Sequence, residues 1–294
     1  MANSSAPLTH IRSQLPEYLK LMRVDKPIGI LLLLWPTLWA LWFAAEGTPV
    51  FSNLIIFILG VILMRSAGCV INDYADRDFD LHVRRTKERP LTSGRVSSKE
   101  AKLLFLFLVT LAFIAVLFTN KDTILMSFGG LFLASLYPFM KRYTYFPQVF
   151  LGAAFGWSVP MAFTAEGAEI SEITWLIYGA TLLWTIAYDT QYAMVDREDD
   201  LKVGIKSTAI LFGEMDNIII ITLQALALIA LAMAGNHLGA DLPFYLGIAA
   251  AAALFAYQYT LTQHRDTDMC FKAFLNNHWV GTVIFIGIAI DYAL

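Results

Sequence analysis

The stretch GCVINDYADRDFD, residues 68–80, leaves an apolar run and turns acidic, carrying Asn72, Asp73, Asp76, Asp78 and Asp80. A second stretch, YDTQYAMVDREDD, residues 188–200, does the same with Asp189, Asp196, Asp199 and Asp200. Asn72, Asp76 and Asp80 are spaced i, i+4, i+8, and Asp189, Asp196 and Asp200 are spaced i, i+7, i+11. On a helix each trio therefore shares one face. Carboxylates stacked in this way repel one another unless a cation sits among them. Oxygen-only ligands point to a hard divalent ion, Mg²⁺ rather than zinc. A single aspartate at a helix end is commonly just solvated; two such series, each closing an apolar segment, are harder to explain so.

The surrounding chain is that of a membrane protein. Its 294 residues are 57% hydrophobic, with a mean hydropathy of +0.59, outside the range of soluble domains. Nine apolar segments are expected as helices, near 28–44, 54–71, 101–118, 123–139, 148–164, 174–191, 208–233, 243–262 and 274–292. Most approach the length that spans a bilayer, and Pro36 and Pro160 interrupt two of them. With the N-terminus on the cytoplasmic side, the segments 1–27, 72–100, 140–147, 192–207 and 263–273 hold 18 of the 21 lysines and arginines. That bias fixes the orientation and puts both acidic clusters on the cytoplasmic face. The polar N-terminus lacks the basic start and immediate apolar core of a cleaved signal, so the first membrane helix is expected to direct insertion. Net charge is −3, which argues against a nucleic-acid partner. Cys69 falls in an apolar segment and Cys270 in an expected loop; two isolated thiols make neither a metal pattern nor a disulfide. Ser97 with Glu100 reads as a capping box opening the third helix.

Mg²⁺ seldom binds an all-protein cage; it keeps waters and bridges carboxylates to phosphate oxygens. Basic residues near the acids would take the remaining phosphate charge. The candidates are Arg77, Lys141, Arg142, Lys202 and Lys206, with Arg23 and Lys26 before the first helix, although each also serves the positive-inside rule. A membrane site for Mg²⁺ and phosphate suits a substrate with a lipid tail and a diphosphate head. Tyr74, Tyr188 and Tyr192 lie near the clusters, where aromatic faces stabilise a carbocation.

These motifs resemble the UbiA superfamily of intramembrane prenyltransferases. The N-D-x-x-D-x-x-x-D pattern is met by Asn72, Asp73, Asp76 and Asp80, and the second D-x-x-x-D by Asp196 and Asp200. RVDKPIGILLLLWPTLWALW, RPLTSG, YPFMKRYT, PQVFLGAAFGWSVPMAF and KAFLNNHWVG extend the likeness from about residue 21 to 281. They are similar to the bacterial branch that prenylates 4-hydroxybenzoate. The resemblance implies an all-α polytopic membrane protein, with nine transmembrane helices around a central cavity and a cytoplasmic cap over the acidic motifs. Residues 1–27 would form a cytoplasmic segment and 28–294 a single transmembrane domain, in the bacterial inner membrane. It implies transfer of a polyprenyl chain from polyprenyl diphosphate to the ring of 4-hydroxybenzoate, ortho to the hydroxyl, in ubiquinone biosynthesis.

On this reading two Mg²⁺ ions are held, by Asn72, Asp76 and Asp80 on one side and by Asp196 and Asp200 on the other. Arg77, Lys141 and Lys206 add charge to the diphosphate site. Arg142, then Arg23, is the expected partner of the acceptor carboxylate, because a guanidinium matches a carboxylate in bidentate fashion. Asp73, Asp189 or released diphosphate would accept the ring proton. Two alternatives stand: a member of the superfamily acting on another ring acceptor, and a cation-coupled transporter. The latter is expected to place its acids near the bilayer midplane, whereas here they cluster at one face.

Overall fold

The computed structural model describes residues 6–81 and 86–294, with side chains described for 12–77, 81 and 86–294. Helix α1 (Ala6–Leu21) lies in the polar N-terminal segment and is followed by α2 (Ile28–Ala44), α3 (Phe51–Asp80), α4 (Ser98–Val116) and α5 (Lys121–Met140). Then come α6 (Pro147–Gly156), α7 (Ser158–Ala165), α8 (Glu172–Val203), the short α9 (Thr208–Phe212) and a 3₁₀ turn. Helices α10 (Asp216–His237), α11 (Leu242–Thr262) and α12 (Thr267–Asp291) complete the chain. Among the described residues every regular element is helical, and each expected apolar segment falls on one helix or on two in succession. Among the described residues five stretches are long and apolar enough to cross a membrane: Phe51–Arg77, Lys121–Met140, Thr208–His237, Leu242–Thr262 and Thr267–Asp291.

The differences from the sequence boundaries have simple causes. Hydropathy falls before α3 and α8 end, but both helices continue through the acidic stretches, in keeping with their shared-face spacing. The segment at 148–164 is two helices parted at Trp157, one turn before Pro160, whose ring clashes with the preceding turn. By contrast α2 continues through Pro36. Cys270 is buried inside α12, not in a loop. That helix starts early because Asp266 caps it, accepting from Met269 N at 3.0 Å. The expected capping box at Ser97 and Glu100 is formed.

The principal core joins α2, α7, α8, α10, α11 and α12. Trp39 stacks on Trp184 with ring centroids 5.2 Å apart, and Tyr188 meets Trp184 edge-on at 5.4 Å. Each indole is also tethered, Trp39 Nε1 donating to Gly281 O at 3.1 Å and Trp184 Nε1 to Asn277 Oδ1 at 2.9 Å. Asn277 Nδ2 in turn donates to Gln191 Oε1 at 2.9 Å, and Gln258 Oε1 accepts from both Gln191 and Gln224. An unpaired amide in a lipid-embedded interior costs several kcal/mol, so this buried network pins the register of α8 against α10, α11 and α12. Helix α1 is tied down by Arg95 Nε donating to Glu17 Oε2 at 2.8 Å and by Tyr18 Oη donating to Glu100 Oε1 at 2.8 Å. Burial, and then Glu100, pushes the Tyr18 hydroxyl up to about 12, so it remains a donor at neutral pH.

Helices α11 and α12 cross with almost no side chain between them. A Cβ on Gly247 would lie 2.8 Å from Val283 O, and one on Gly287 would lie 2.9 Å from Pro243 O. Close backbone approach through small residues is a common packing mode within membranes. Gly247→Ala is therefore expected to cost about 1–3 kcal/mol through overpacking and to lower the melting temperature in detergent. Gly179→Ala, where a Cβ meets nothing within 4 Å, should melt at or slightly above wild type. Equal melting of the two variants would contradict this packing.

Candidate functional site

The acidic face of α3 and that of α8 meet at one polar cavity of about 150 Å³. Asn72 and Asp76 line it from α3; Asp189, Asp196 and Asp200 line it from α8. Lys141 and Lys206 complete the wall. Residues 113 or more positions apart in sequence are thus neighbours, because both helices carry their acidic ends to the same cavity. Lys141 follows the last residue of α5 and its ammonium pairs with Asp76, which is 1% exposed. Helix α8 stops at Gly204, whose φ of +74° suits glycine and turns the chain back. The turn delivers Lys206 to the cavity, its amide donating to Lys141 O at 3.1 Å and its ammonium to Tyr143 O at 3.3 Å.

A second cavity of about 840 Å³ adjoins the first. Asn72, Arg89, Tyr137, Asp189 and Tyr192 line both. Its deeper walls are apolar and include Phe57, Val109, Phe113, Phe128 and Leu131. At the polar end Tyr188 and Tyr192 present aromatic surface beside Asp189. Gln148 lines the small cavity with Asp189, and its Oε1 accepts from Thr208 N at 3.1 Å.

The other candidates from the sequence sit differently. Asp73, 1% exposed, is clasped by Arg23 Nη2 at 3.1 and 3.3 Å and by Arg89 Nη1 at 2.9 Å. It and Arg23 line the large cavity and not the small one. Arg142 donates to Ala75 O and Arg77 to Tyr74 O; among the described residues neither lines either cavity. Tyr74 faces cations, with Arg77 4.7 Å and Lys102 5.0 Å from its ring centroid. The side chain of Asp80 lies outside the described residues.

Arg65 was not singled out from sequence. Two turns before Asn72 on α3, it lines the large cavity. Its Nη1 donates to Cys69 Sγ at 2.9 Å, and its guanidinium carbon is 5.8 Å from the Phe155 ring centroid. Its Nε is buried with no hydrogen-bond partner among the described residues. The available signal was a charge inside an otherwise apolar span, which marks function by default.

The donors around the small cavity fit a hard divalent cation. They are all oxygen, they come from two helices, and they are accompanied by cations suited to phosphate. Among the described residues no three His, Cys, Asp or Glu side chains come close enough together to hold a metal ion by themselves. An open site completed by waters and phosphate oxygens is what Mg²⁺ favours.

Comparison with known proteins places this arrangement. Residues 33–281 match the UbiA prenyltransferase family. The protein named 4-hydroxybenzoate octaprenyltransferase in Pseudomonas syringae pv. tomato is 61% identical over 278 residues, 95% of this chain and 94% of that one. The protein of the same name in Pseudomonas aeruginosa PAO1 is 58% identical over 288 residues, 98% of this chain and 97% of its own. Among solved structures, a UbiA homologue from Aeropyrum pernix K1 superposes with a TM-score of 0.78 at 24% identity, over 89% of this chain and 97% of that one. A UbiA homologue from Archaeoglobus fulgidus, bound to GPP and Mg²⁺, gives 0.71 at 20% identity, over 94% and 99%. The chain belongs to the UbiA prenyltransferase family.

The Asp73 clasp predicts a stability effect. Asp73→Asn leaves two guanidiniums facing a neutral amide, and breaking a buried pair costs about 3–5 kcal/mol, less here because both arginines reach water. Its melting temperature in detergent should fall further than that of Arg89→Gln, which leaves Arg23 on the carboxylate. The reverse order would contradict the clasp.

Proposed function

We propose that this chain transfers a polyprenyl group from polyprenyl diphosphate to 4-hydroxybenzoate, at the carbon ortho to the hydroxyl, as a step of ubiquinone biosynthesis. The observation that carries the reading is the joining of two unlike cavities. A small polar one is lined by Asn72, Asp76, Asp189, Asp196 and Asp200 with Lys141 and Lys206, and it adjoins a large apolar one. A diphosphate head and a lipid tail need that combination. The named relatives near 60% identity support the same substrates.

Asn72, Asp76, Asp80, Asp196 and Asp200 would hold the divalent cation, for which we take Mg²⁺. When bound, it neutralises the diphosphate and makes it a better leaving group. Lys141 and Lys206 bind the outer phosphate oxygens. The allylic C–O bond breaks with its electron pair going to diphosphate, and the tail is left as a delocalised cation. Tyr188 and Tyr192 place ring faces at that end of the cavity, where an aromatic quadrupole lowers the energy of positive charge. The apolar walls exclude the water that would otherwise trap it as an alcohol. The ring carbon beside the phenolic oxygen attacks, and its proton leaves to Asp189 or to released diphosphate. Asp189 suits that role better than Asp73, because it lines both cavities while Asp73 is committed to two arginines.

The acceptor carboxylate needs a cation inside the large cavity. Arg65 is there with a free Nε, and burying an arginine within an apolar span costs about 2.5–3.5 kcal/mol on insertion scales, which an anionic partner offsets. Arg142, the choice from sequence, binds the α3 backbone instead. In the membrane we read nine crossings, a cytoplasmic segment at 1–27 and one transmembrane domain at 28–294. Both acidic faces then lie under a cap at the cytoplasmic side of the bacterial inner membrane, with the positive-inside bias as support.

Asp76→Ala and Asp196→Ala should each abolish prenyl transfer while the protein remains in the membrane. Near wild-type turnover in either would sink the two-series site. Arg65→Gln should raise the KM for 4-hydroxybenzoate about tenfold, equivalent to roughly 1.4 kcal/mol, and leave the KM for the diphosphate nearly unchanged. If Arg142→Gln shows that pattern and Arg65→Gln does not, the carboxylate belongs to Arg142.

A further inference from the structure

Beyond Met194 no side chain of α8 is among its buried residues, yet this is the part that carries Asp196 and Asp200. A strong contact to a neighbouring element sits within it. Arg197 follows Asp196 directly, lies outside both cavities, and pairs through Nη2 with Asp216 Oδ2. Asp216 opens α10 and is 0% exposed. A second guanidinium closes on the same carboxylate from the turn between α11 and α12. Arg265 Nε lies 3.2 Å from Oδ1 and 3.0 Å from Oδ2, and its Nη2 donates to Glu214 O at 2.6 Å. Asn217 N adds a third donor, to Oδ1 at 2.7 Å. Arg265 adopts φ +56°, a conformation side-chain-bearing residues seldom take, and both of its partners depend on that turn.

Three segments distant in sequence therefore converge on one buried carboxylate, immediately behind the second acidic series. We infer that Arg197, locked by Asp216 and Arg265, is a positioning residue that aims Asp196 and Asp200 into the cavity they share with Asp76. The lock would act on the ligands as an outer hydrogen-bond partner acts in other metal sites, by fixing where a first ligand points. This inference rests on the reading of Asp196 and Asp200 as groups for a divalent cation and diphosphate. The core of α8 is held independently, by Trp184, Tyr188 and the Gln191 network, so loosening the lock should spare the fold and the acceptor site.

Arg197→Gln is the decisive variant, since it leaves the Asp216–Arg265 pair intact; Asp216→Asn strands two guanidiniums and risks unfolding. The purified protein in detergent, with an unreactive prenyl thiodiphosphate, would be titrated with Mn²⁺ while free Mn²⁺ is followed by EPR. Arg197→Gln should weaken Mn²⁺ binding about tenfold, the usual scale for losing an outer partner. The half-saturating Mg²⁺ in prenyl transfer should rise in step, the KM for 4-hydroxybenzoate should stay within about twofold, and Arg197→Lys should recover most of the loss. Wild-type Mn²⁺ affinity in Arg197→Gln would overturn the proposal. So would a loss spread equally over Mn²⁺ affinity, acceptor KM and melting temperature. Asp196→Ala, run alongside, should lose Mn²⁺ binding. If it does not, the cation reading of the site has failed and the lock falls with it, a result distinct from failure of the lock alone.

Discussion

Repulsion between carboxylates is the constraint on which the rest of the molecule turns. Aspartates from α3 and α8 share a cavity of about 150 Å³, close to low-dielectric helices where like charges interact strongly. Such a set is stable only with cations among it. Lysine supplies one from within the chain, Lys141 on Asp76, and a divalent ion with a phosphate ligand would supply the rest. Sequences that merely needed solubility at a membrane surface would have no reason to bring the two series together. The tethered indoles and the buried amide network hold α8 against α2, α10, α11 and α12 while its acidic end faces that of α3.

The site's chemistry follows from where the polar region ends. Asn72 and Asp189 belong to both cavities, so the reacting end of a tailed diphosphate would lie at the boundary between charge and hydrocarbon. On the polar side a leaving group is stabilised electrostatically. On the apolar side water is kept from the cation. Each function would be compromised by the other's environment, and the adjoining arrangement lets one substrate use both.

Much of this was legible in the sequence because membrane helices write their periodicity and polarity openly. The i, i+4 spacing from Asn72 to Asp76, and that from Asp196 to Asp200, identified faces that the structure brings to one cavity. Basic residues before and after the helices supplied the orientation argument. Boundaries were less legible: hydropathy reports where lipid ends, and α3, α8 and α12 continue past it, which moved Cys270 from a loop into a helix. Partnership was least legible. Nothing local announces that Asp73 is spoken for by Arg23 and Arg89, or that Arg142 bonds to the backbone of α3. Asp216 reads as an ordinary first-turn acid until Arg197 and Arg265 are seen to meet on it. Arg65 carried a signal, a charge in an apolar span, whose meaning depended on the cavity beside it.

The most direct measurement is transfer by the purified protein in detergent or liposomes, given labelled 4-hydroxybenzoate and a polyprenyl diphosphate, with Mg²⁺ or with EDTA. Label should move into the lipid extract with Mg²⁺ and stay in the aqueous phase with EDTA. Folded protein that transfers nothing with Mg²⁺, or transfers equally well in EDTA, would contradict the account.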